Sequence, residues 1–375
     1  MAEAPSARIG EYFADLTDPR VERGKRHALL DIFVIALCAV ICGADSWVEM
    51  EAYGRAKEAW LREFLALPNG IPTHDTFARV LARLDPEEVQ RCFARWIQAL
   101  SAVTAGAVIA LDGKTLRRSF DRASGKGAIT MVSAWATANQ LVLGQQKVDG
   151  KSNEITAIPQ LLDLLALEGC LVTMDAMGCQ REIAQRIVSK EAEYVLALKG
   201  NQGTVYEEVD GFFRWARARE FAEVAHTSYQ TVEKDHGRIE ERRYWLVTEI
   251  AWLLPTANWP GLRSIGMVEA RRTVGEQTTV EQRYYLTSLS DDVHRFGQAV
   301  RSHWGIENGL HWVLDVVFQE DQSRLRRDHA AENFAVLRHL ALSLLRQERS
   351  CRNGLKVKRL KAAWNNDYLT KVLFG

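Results

Sequence analysis

Between Val108 and Leu198 the sequence follows a succession of patterns that few folds accommodate. Short β-rich runs at Val108–Leu111, Ile129–Thr137 and Leu141–Lys147 lead into a helical period at Glu154–Leu167, then a run at Leu171–Met174, a second helix at Gln180–Lys190 and a last run at Tyr194–Leu198. Ala138-Asn139-Gln140 suits a hairpin turn between the second and third runs. The order βββαβαβ predicts an antiparallel meander that continues into parallel strands through helical crossovers.

That is the order of an RNase H-like α/β core, a mixed sheet flanked by helices, in which the first and fourth strands are neighbours. Two acids gain meaning from this. Ala107 to Thr115 reads A-V-I-A-L-D-G-K-T, an apolar run that ends on Asp112, with Gly113 allowing a turn straight after it. Asp175 closes the fourth strand in the same way. A lone acid at a strand end is commonly a cap or turn residue. Two acids at neighbouring strand ends suit a shared Mg²⁺ or Mn²⁺, hard ions that prefer oxygen ligands. A pair of such ions about 3.5–4 Å apart serves in-line phosphoryl transfer.

A late helix starts near Asp291 or Asp292 and runs, with a break near Gly305, to about Phe318; it offers Glu307 and Asp315 as third acids, with Glu320 and Asp321 beyond. At roughly 100° per residue, Ile306, Leu310, Val313 and Val317 form an apolar stripe, and Trp304, Asn308, His311 and Asp315 an opposite face. Glu307 lies on the border, where it can reach the two Asp side chains while its helix stays packed. His303, Glu307 and His311 also stand at i, i+4, i+8, a conceivable zinc stripe of lesser weight. Basic residues gather nearby: Lys114, Arg117, Arg118 and Arg122 follow Asp112, and Lys199 precedes Asn201-Gln202. After the late helix a further basic series runs from Arg324 through Arg338 and Arg346 to Lys358, Arg359 and Lys361. These clusters lie where a phosphate backbone would pass.

Around this core, residues 1–105 read as helical (Ala28–Gly43, Trp47–Leu65, His74–Leu84 and Pro86–Ser101), a bundle with its own core whose basic residues Arg20, Arg23, Lys25, Arg26, Arg79 and Arg83 are candidates for DNA contact. The catalytic core is expected over 106–203 and 291–347, a mostly β insertion over 204–290, and a basic tail over 348–375. Lys plus Arg (48) balances Asp plus Glu (48), so any nucleic-acid surface must be local. The six cysteines contain no C-x-x-C pair, which predicts reduced thiols in a cytosol rather than a zinc knuckle or disulfide framework. The start carries no signal-peptide pattern, and Leu29–Ala44 is too short for a membrane span and holds Asp31, so no membrane partner is expected.

Four segments resemble a known family: L-D-G-K-T-L-R-R-S at Leu111–Ser119, T-M-D-A-M-G-C-Q at Thr173–Gln180, Y-V-L-A-L-K-G-N-Q at Tyr194–Gln202, and R-S-H-W-G-I-E-N-G-L-H-W-V-L-D-V at Arg301–Val316. They are similar to ISAs-type insertion-sequence transposases and H-repeat-associated proteins, and D-I-F-V-I-A-L-C-A-V-I-C-G-A-D-S-W resembles their helical domain. The resemblance implies a DDE transposase with Asp112, Asp175 and Glu307 as catalytic and metal-ligating triad, two Mg²⁺ or Mn²⁺ ions, and a β insertion before the last acid. It implies double-stranded DNA as partner, both the element's terminal inverted repeats and target DNA, with a homodimer formed on that DNA. The wider superfamily often has Tyr and Arg before the Glu and Lys after it; Val300, His303 and Leu314 stand there instead. His303, Arg301 or His311 are the candidates for that phosphate-contacting role. A catalytically silent DNA-binding relic and a standalone metal-dependent nuclease are the alternatives.

Overall fold

The computed structural model describes residues 9–100, 106–120, 125, 127–148, 153–235, 237–253 and 258–375. Five helices come first: α1 (Ile9–Phe13), α2 (Leu29–Ile41), α3 (Trp47–Leu61), α4 (His74–Arg83) and α5 (Pro86–Leu100). The core follows as β1 (Val108–Leu116), β2 (Ile129–Ala136), β3 (Leu141–Lys147), α6 (Glu154–Leu164), β4 (Leu171–Met174), α7 (Arg181–Ser189) and β5 (Glu193–Leu198). Next are α8 (Thr204–Ala218), β6 (Thr227–Asp235), β7 (Arg238–Val247), β8 (Ser264–Val274) and β9 (Gln277–Thr287). The chain ends with α9 (Val293–Ile306), a π-helical turn at Glu307–His311, α10 (Trp312–Val316), α11 (Ala330–Gln347), α12 (Leu355–Trp364) and α13 (Asn366–Phe374).

The strands form one nine-stranded mixed sheet in the order β3-β2-β1-β4-β5-β9-β8-β7-β6. Its first five strands have the expected layout, with β1–β2–β3 antiparallel and β1, β4 and β5 parallel. The insertion strands continue the same sheet. β9 pairs antiparallel with β5, Val195 facing Thr287 through Leu198 facing Tyr284, so the open backbone groups of β5 are covered and β6 becomes the far edge.

One expectation is corrected at β1. The strand does not turn at Gly113. It runs on to Leu116, because β2 continues to pair with it from Asp112 opposite Ser133 to Leu116 opposite Ile129. The short partner is β4: the parallel ladder stops at Leu111 opposite Met174. Asp112 therefore sits inside a strand, where its neighbour on one side has ended.

Alternation along the strands assigns the faces. Val172, Met174 and Leu111 join the large core beneath α6 and α7, whereas Leu171 and Val195 join Phe296, Ala299 and Val300 of α9 on the other face. Asp112 and Asp175 share the parity of the α9 side. The N-terminal helices do not close on a core of their own: α2, α4 and α5 pack on α11, buried from Ala330 to Leu345, and one apolar core runs through both. α2 is apolar all round and buried from Asp31 to Ile41, as a central helix must be. Among the described residues no helix is long and apolar enough to cross a membrane. Residues 348–375 are a folded part of this core. Lys358 Nζ donates to Leu345 O at 2.7 Å, and Arg359 donates to Val40 O at 2.9 Å.

α9 lies close over the insertion because Gly266 of β8 has no side chain. A Cβ there would lie 2.7 and 3.0 Å from Cε2 and Cε1 of the buried Phe296 ring. Gly266→Ala should therefore lower stability by about 1–3 kcal/mol, read as a drop in the denaturant midpoint with an unchanged slope.

Candidate active site

Leu111 and Met174 are the last paired residues of β1 and β4, and Asp112 and Asp175 are the next residue on each. Neighbouring strands lie roughly 4.8 Å apart, so the parallel register sets the two carboxylates side by side. Local backbone fixes their orientation. Asp112 Oδ1 accepts from Gly113 N at 3.0 Å; Asp175 Oδ1 accepts from Met177 N at 2.9 Å and Gly178 N at 3.3 Å. Both acids line a cleft of about 330 Å³ with Thr173, Lys199, His303, Trp304 and Glu307, closed on the far side by Arg283 and Tyr284 of β9.

Asp112 is pushed up to about 7, first by burial and then by the charge of Asp175, with Glu154 and Glu307 adding to it. Among the described residues no lysine or arginine forms an ion pair with Asp112 or Asp175. The nearest basic group is His311, whose Nδ1 is 3.5 Å from Asp112 Oδ2. Burial pushes His311 down to about 4, so it is neutral at pH 7 and brings no charge. His303 is likewise lowered by burial, and its Nδ1 shares a hydrogen bond with Thr173 Oγ1 at 3.1 Å.

Glu307 opens the π-helical turn between α9 and α10. The wider turn resets the helix register where the sequence pattern expects a break, and insertions of this kind are frequent at functional sites. Glu307 is exposed at the cleft. The donor set fits a hard divalent cation, since acidic oxygens face one another with no protein cation between them. Among the described residues no group of three or more His, Cys, Asp or Glu side chains is arranged to hold a metal ion. Glu307 stands in solvent. The zinc stripe fails for another reason: His303 turns to Thr173 and His311 to Asp112, so the i, i+4, i+8 spacing does not converge.

Several expected DNA contacts are engaged elsewhere. Lys114, 11% exposed, is held by Asp315 at 2.7 Å, Glu320 at 2.9 Å and Asp321 at 3.3 Å, so it is a buried ion-pair centre rather than an open phosphate contact. Asn201 Nδ2 donates to Ala176 O at 2.8 Å, and Gln202 Nε2 to Cys179 O, which ties the loop after β5 to the Asp175 turn. Arg301 pairs with Glu233 at 2.6 Å, and Arg338 is buried beside Glu320. Arg117 is 79% exposed with its Nε 3.1 Å from Asp321, Arg118 is exposed, and Lys199 is exposed at the cleft rim with no ion pair among the described residues. Arg122 lies outside the described residues.

Four residues make contacts that the sequence reading did not foresee. Thr173 looked like an ordinary strand residue, yet its parity with Asp175 was a usable signal. Trp304 lies between Arg283 and Arg242, 4.8 and 5.6 Å from its ring, and no local spacing foretells contacts across 20 residues or more. Arg346 stacks on Trp135 at 4.7 Å and donates to Gly309 O at 2.5 Å, bracing the π-turn against the β2–β3 hairpin. Glu154, at the start of α6, is raised by burial and by the charge of Asp175.

The raised Asp112 gives a pH dependence with a definite sign. Its folded value, about 7, exceeds its unfolded value near 3.8, so the folded state holds the proton more tightly. That stabilisation is full below about pH 4 and is lost as pH rises to 7. Metal-free Asp112→Asn should accordingly be more stable than the parent at pH 8, by roughly 2–4 kcal/mol, and close to it at pH 4. Urea titrations at the two values check this.

Comparisons with known proteins converge on one family. A model described as "DDE_Tnp_1-associated" matches residues 10–97, and "Transposase DDE domain" matches residues 104–344. The chain is 42% identical over 368 residues to "Putative transposase YncI" of Escherichia coli O157:H7, covering 97% of this chain and 93% of that one. It is 39% identical over 374 residues to "H repeat-associated putative transposase YhhI" of Escherichia coli strain K12, covering 98% of both. A solved chain, "Cryo-EM structure of piggyBac transposase synaptic complex with hairpin DNA (SNHP)", overlaps with a TM-score of 0.42 at 12% identity, covering 99% of this chain and 77% of that one, too weak to carry an argument. On the span of the domain match and the full-length relatives, the chain belongs to the DDE transposase family.

Proposed function

We propose that this transposase cuts double-stranded DNA at the terminal inverted repeats of an insertion sequence and joins the freed 3′-hydroxyls to target DNA, using Mg²⁺ or Mn²⁺ held by Asp112, Asp175 and Glu307. The observation that carries the reading is the pair of carboxylates at adjacent parallel strand positions, with Asp112 pushed up to about 7 and no protein cation to neutralise it. When bound, a pair of cations supplies Lewis acidity to the scissile phosphate and eases deprotonation of the attacking water or hydroxyl.

The chain's own groups then divide the work. Asp112, inside β1, and Asp175, just past the end of β4, would present the ligand oxygens, with Asp175 oriented by the Met177 and Gly178 amides. Glu307, exposed at the π-turn, would be the third ligand. Lys199 at the rim, with Arg117 and Arg118 just past the end of β1, offers charge to the DNA backbone. His303 and His311, half-buried and neutral at pH 7, add no cation. No covalent enzyme intermediate is required, since water and then a DNA 3′-hydroxyl act as nucleophiles. Two ends must be handled together, which calls for a homodimer on DNA, acting in the bacterial cytoplasm.

Purified protein incubated with element-end DNA and Mg²⁺ or Mn²⁺ should yield nicked ends and joined products. Asp112→Asn, Asp175→Asn and Glu307→Gln should each lower cleavage by more than about 100-fold, the upper figure for disturbing even an outer group at a metal site, while retaining DNA binding. Equal cleavage by Asp112→Asn would sink the reading. Binding without cutting by the parent chain would mark a silent relic, and cutting without joining a nuclease.

A further inference from the structure

We infer that the loop from Ser323 to His329 carries the DNA backbone away from β1 and across to the N-terminal helices, with Arg324 and Arg327 on the loop and Arg83 of α4 at its far end as phosphate contacts. This rests on DNA as the partner in the reading above. The loop starts close to the proposed site. Asp321, two residues before it, pairs with Lys114 at 3.3 Å and with Arg117 at 3.1 Å, so the loop departs from the part of β1 just past Asp112. Arg326 anchors it there, donating from Nε to Arg118 O at 2.9 Å and stacking on Phe120 at 4.7 Å. At the other end His329 N donates to Ala82 O at 3.0 Å, in the last turn of α4 and next to Arg83. His329 and Arg83 line one surface pocket.

Anchored at both ends, the loop presents arginines that the protein leaves open. Arg324 and Arg327 are exposed, as are Arg118 at the start of the path and Arg83 at its end. Among the described residues Arg83, Arg118 and Arg324 form no ion pair. Arg327, 68% exposed, stands 3.6 Å from Asp328, itself 52% exposed, and an open pair of this kind holds its charge weakly. A cation in the last turn of a helix often does no more than answer the helix dipole. Arg83 is placed for that, yet among the described residues it makes no hydrogen bond to an α4 carbonyl. Fully extended, the loop from 323 to 329 spans at most about 25 Å, less than one turn of B-DNA at roughly 34–36 Å. A duplex carries one charge per about 1.7 Å of its axis, so a single turn supplies phosphates along the whole path. The path ends where exposed acids begin, at Asp85 and Glu87 by the start of α5. Unpaired arginines on a tethered backbone suit phosphate, which fixes position without reading sequence.

Fluorescence anisotropy of two labelled duplexes of unrelated sequence, titrated with the full chain in EDTA over a series of salt concentrations, tests this without cleavage. Arg83→Gln, Arg324→Gln and Arg327→Gln should each make the slope of log K against log [salt] shallower by about 0.9, and should weaken binding to both duplexes alike. Arg83→Lys should keep the parent's slope, because the contact uses charge. Arg186→Gln should keep it too, since Arg186 is paired with Asp163 on α7, behind the sheet. If the three Gln variants keep the parent's slope while Arg118→Gln lowers it, DNA stays at the cleft and this inference falls with the proposed function untouched. An equal loss of slope in Arg186→Gln also overturns it, since net charge alone would then explain the effect. The expected slopes in a chain that never cleaves would uphold the path and sink the metal-dependent reading. A parent chain that binds neither duplex overturns both.

Discussion

Parallel pairing of β1 with β4 is the constraint on which the cleft depends. A register of Leu111 opposite Met174 makes the next residue of each strand an aspartate, on the same face and within one strand spacing of the other. The arrangement opposes folding, because it buries like charges together. It persists because each strand is held on its other side: β2 pairs with β1 beyond Asp112, and β5 pairs with β4 to its end. The sheet thus fixes an electrostatic conflict between like charges at the cleft.

The third acid is placed by different physics. α9 is held to the sheet by Phe296 against Gly266, and the helix then widens into the π-turn at Glu307. Two contacts brace this turn from behind. Arg346, lowered to about 10 by its burial, reaches from α11 to the Gly309 carbonyl, and Lys114 ties β1 to Asp315 of α10 and to Glu320 and Asp321 just past it. Pairing of this kind is costly in desolvation but strongly directional, so it serves position more than stability. Glu307 itself stays exposed at the cleft.

The insertion is part of the same machine. Because β9 extends the sheet from β5, its residues Arg283 and Tyr284 form the far wall of the cleft, and Arg283 holds Trp304 of α9 from the other side.

Much of this was written in local pattern. Alternation and turn residues gave the strand order, the two Asp positions followed from it, and helical periodicity put Glu307 at a packing border, since each of these depends on neighbours a few residues away. What the sequence could not give arises from contacts between distant segments. Whether β1 stops at Gly113 is decided by β2, whether Lys114 is free is decided by acids some 200 residues later, and whether the basic C-terminal series is a surface or a core element is decided by Leu345 and Val40. Glu154 shows the division most plainly: its residue type and its place at a helix start are local, but its approach to Gly113 exists only once α6 has crossed over the sheet.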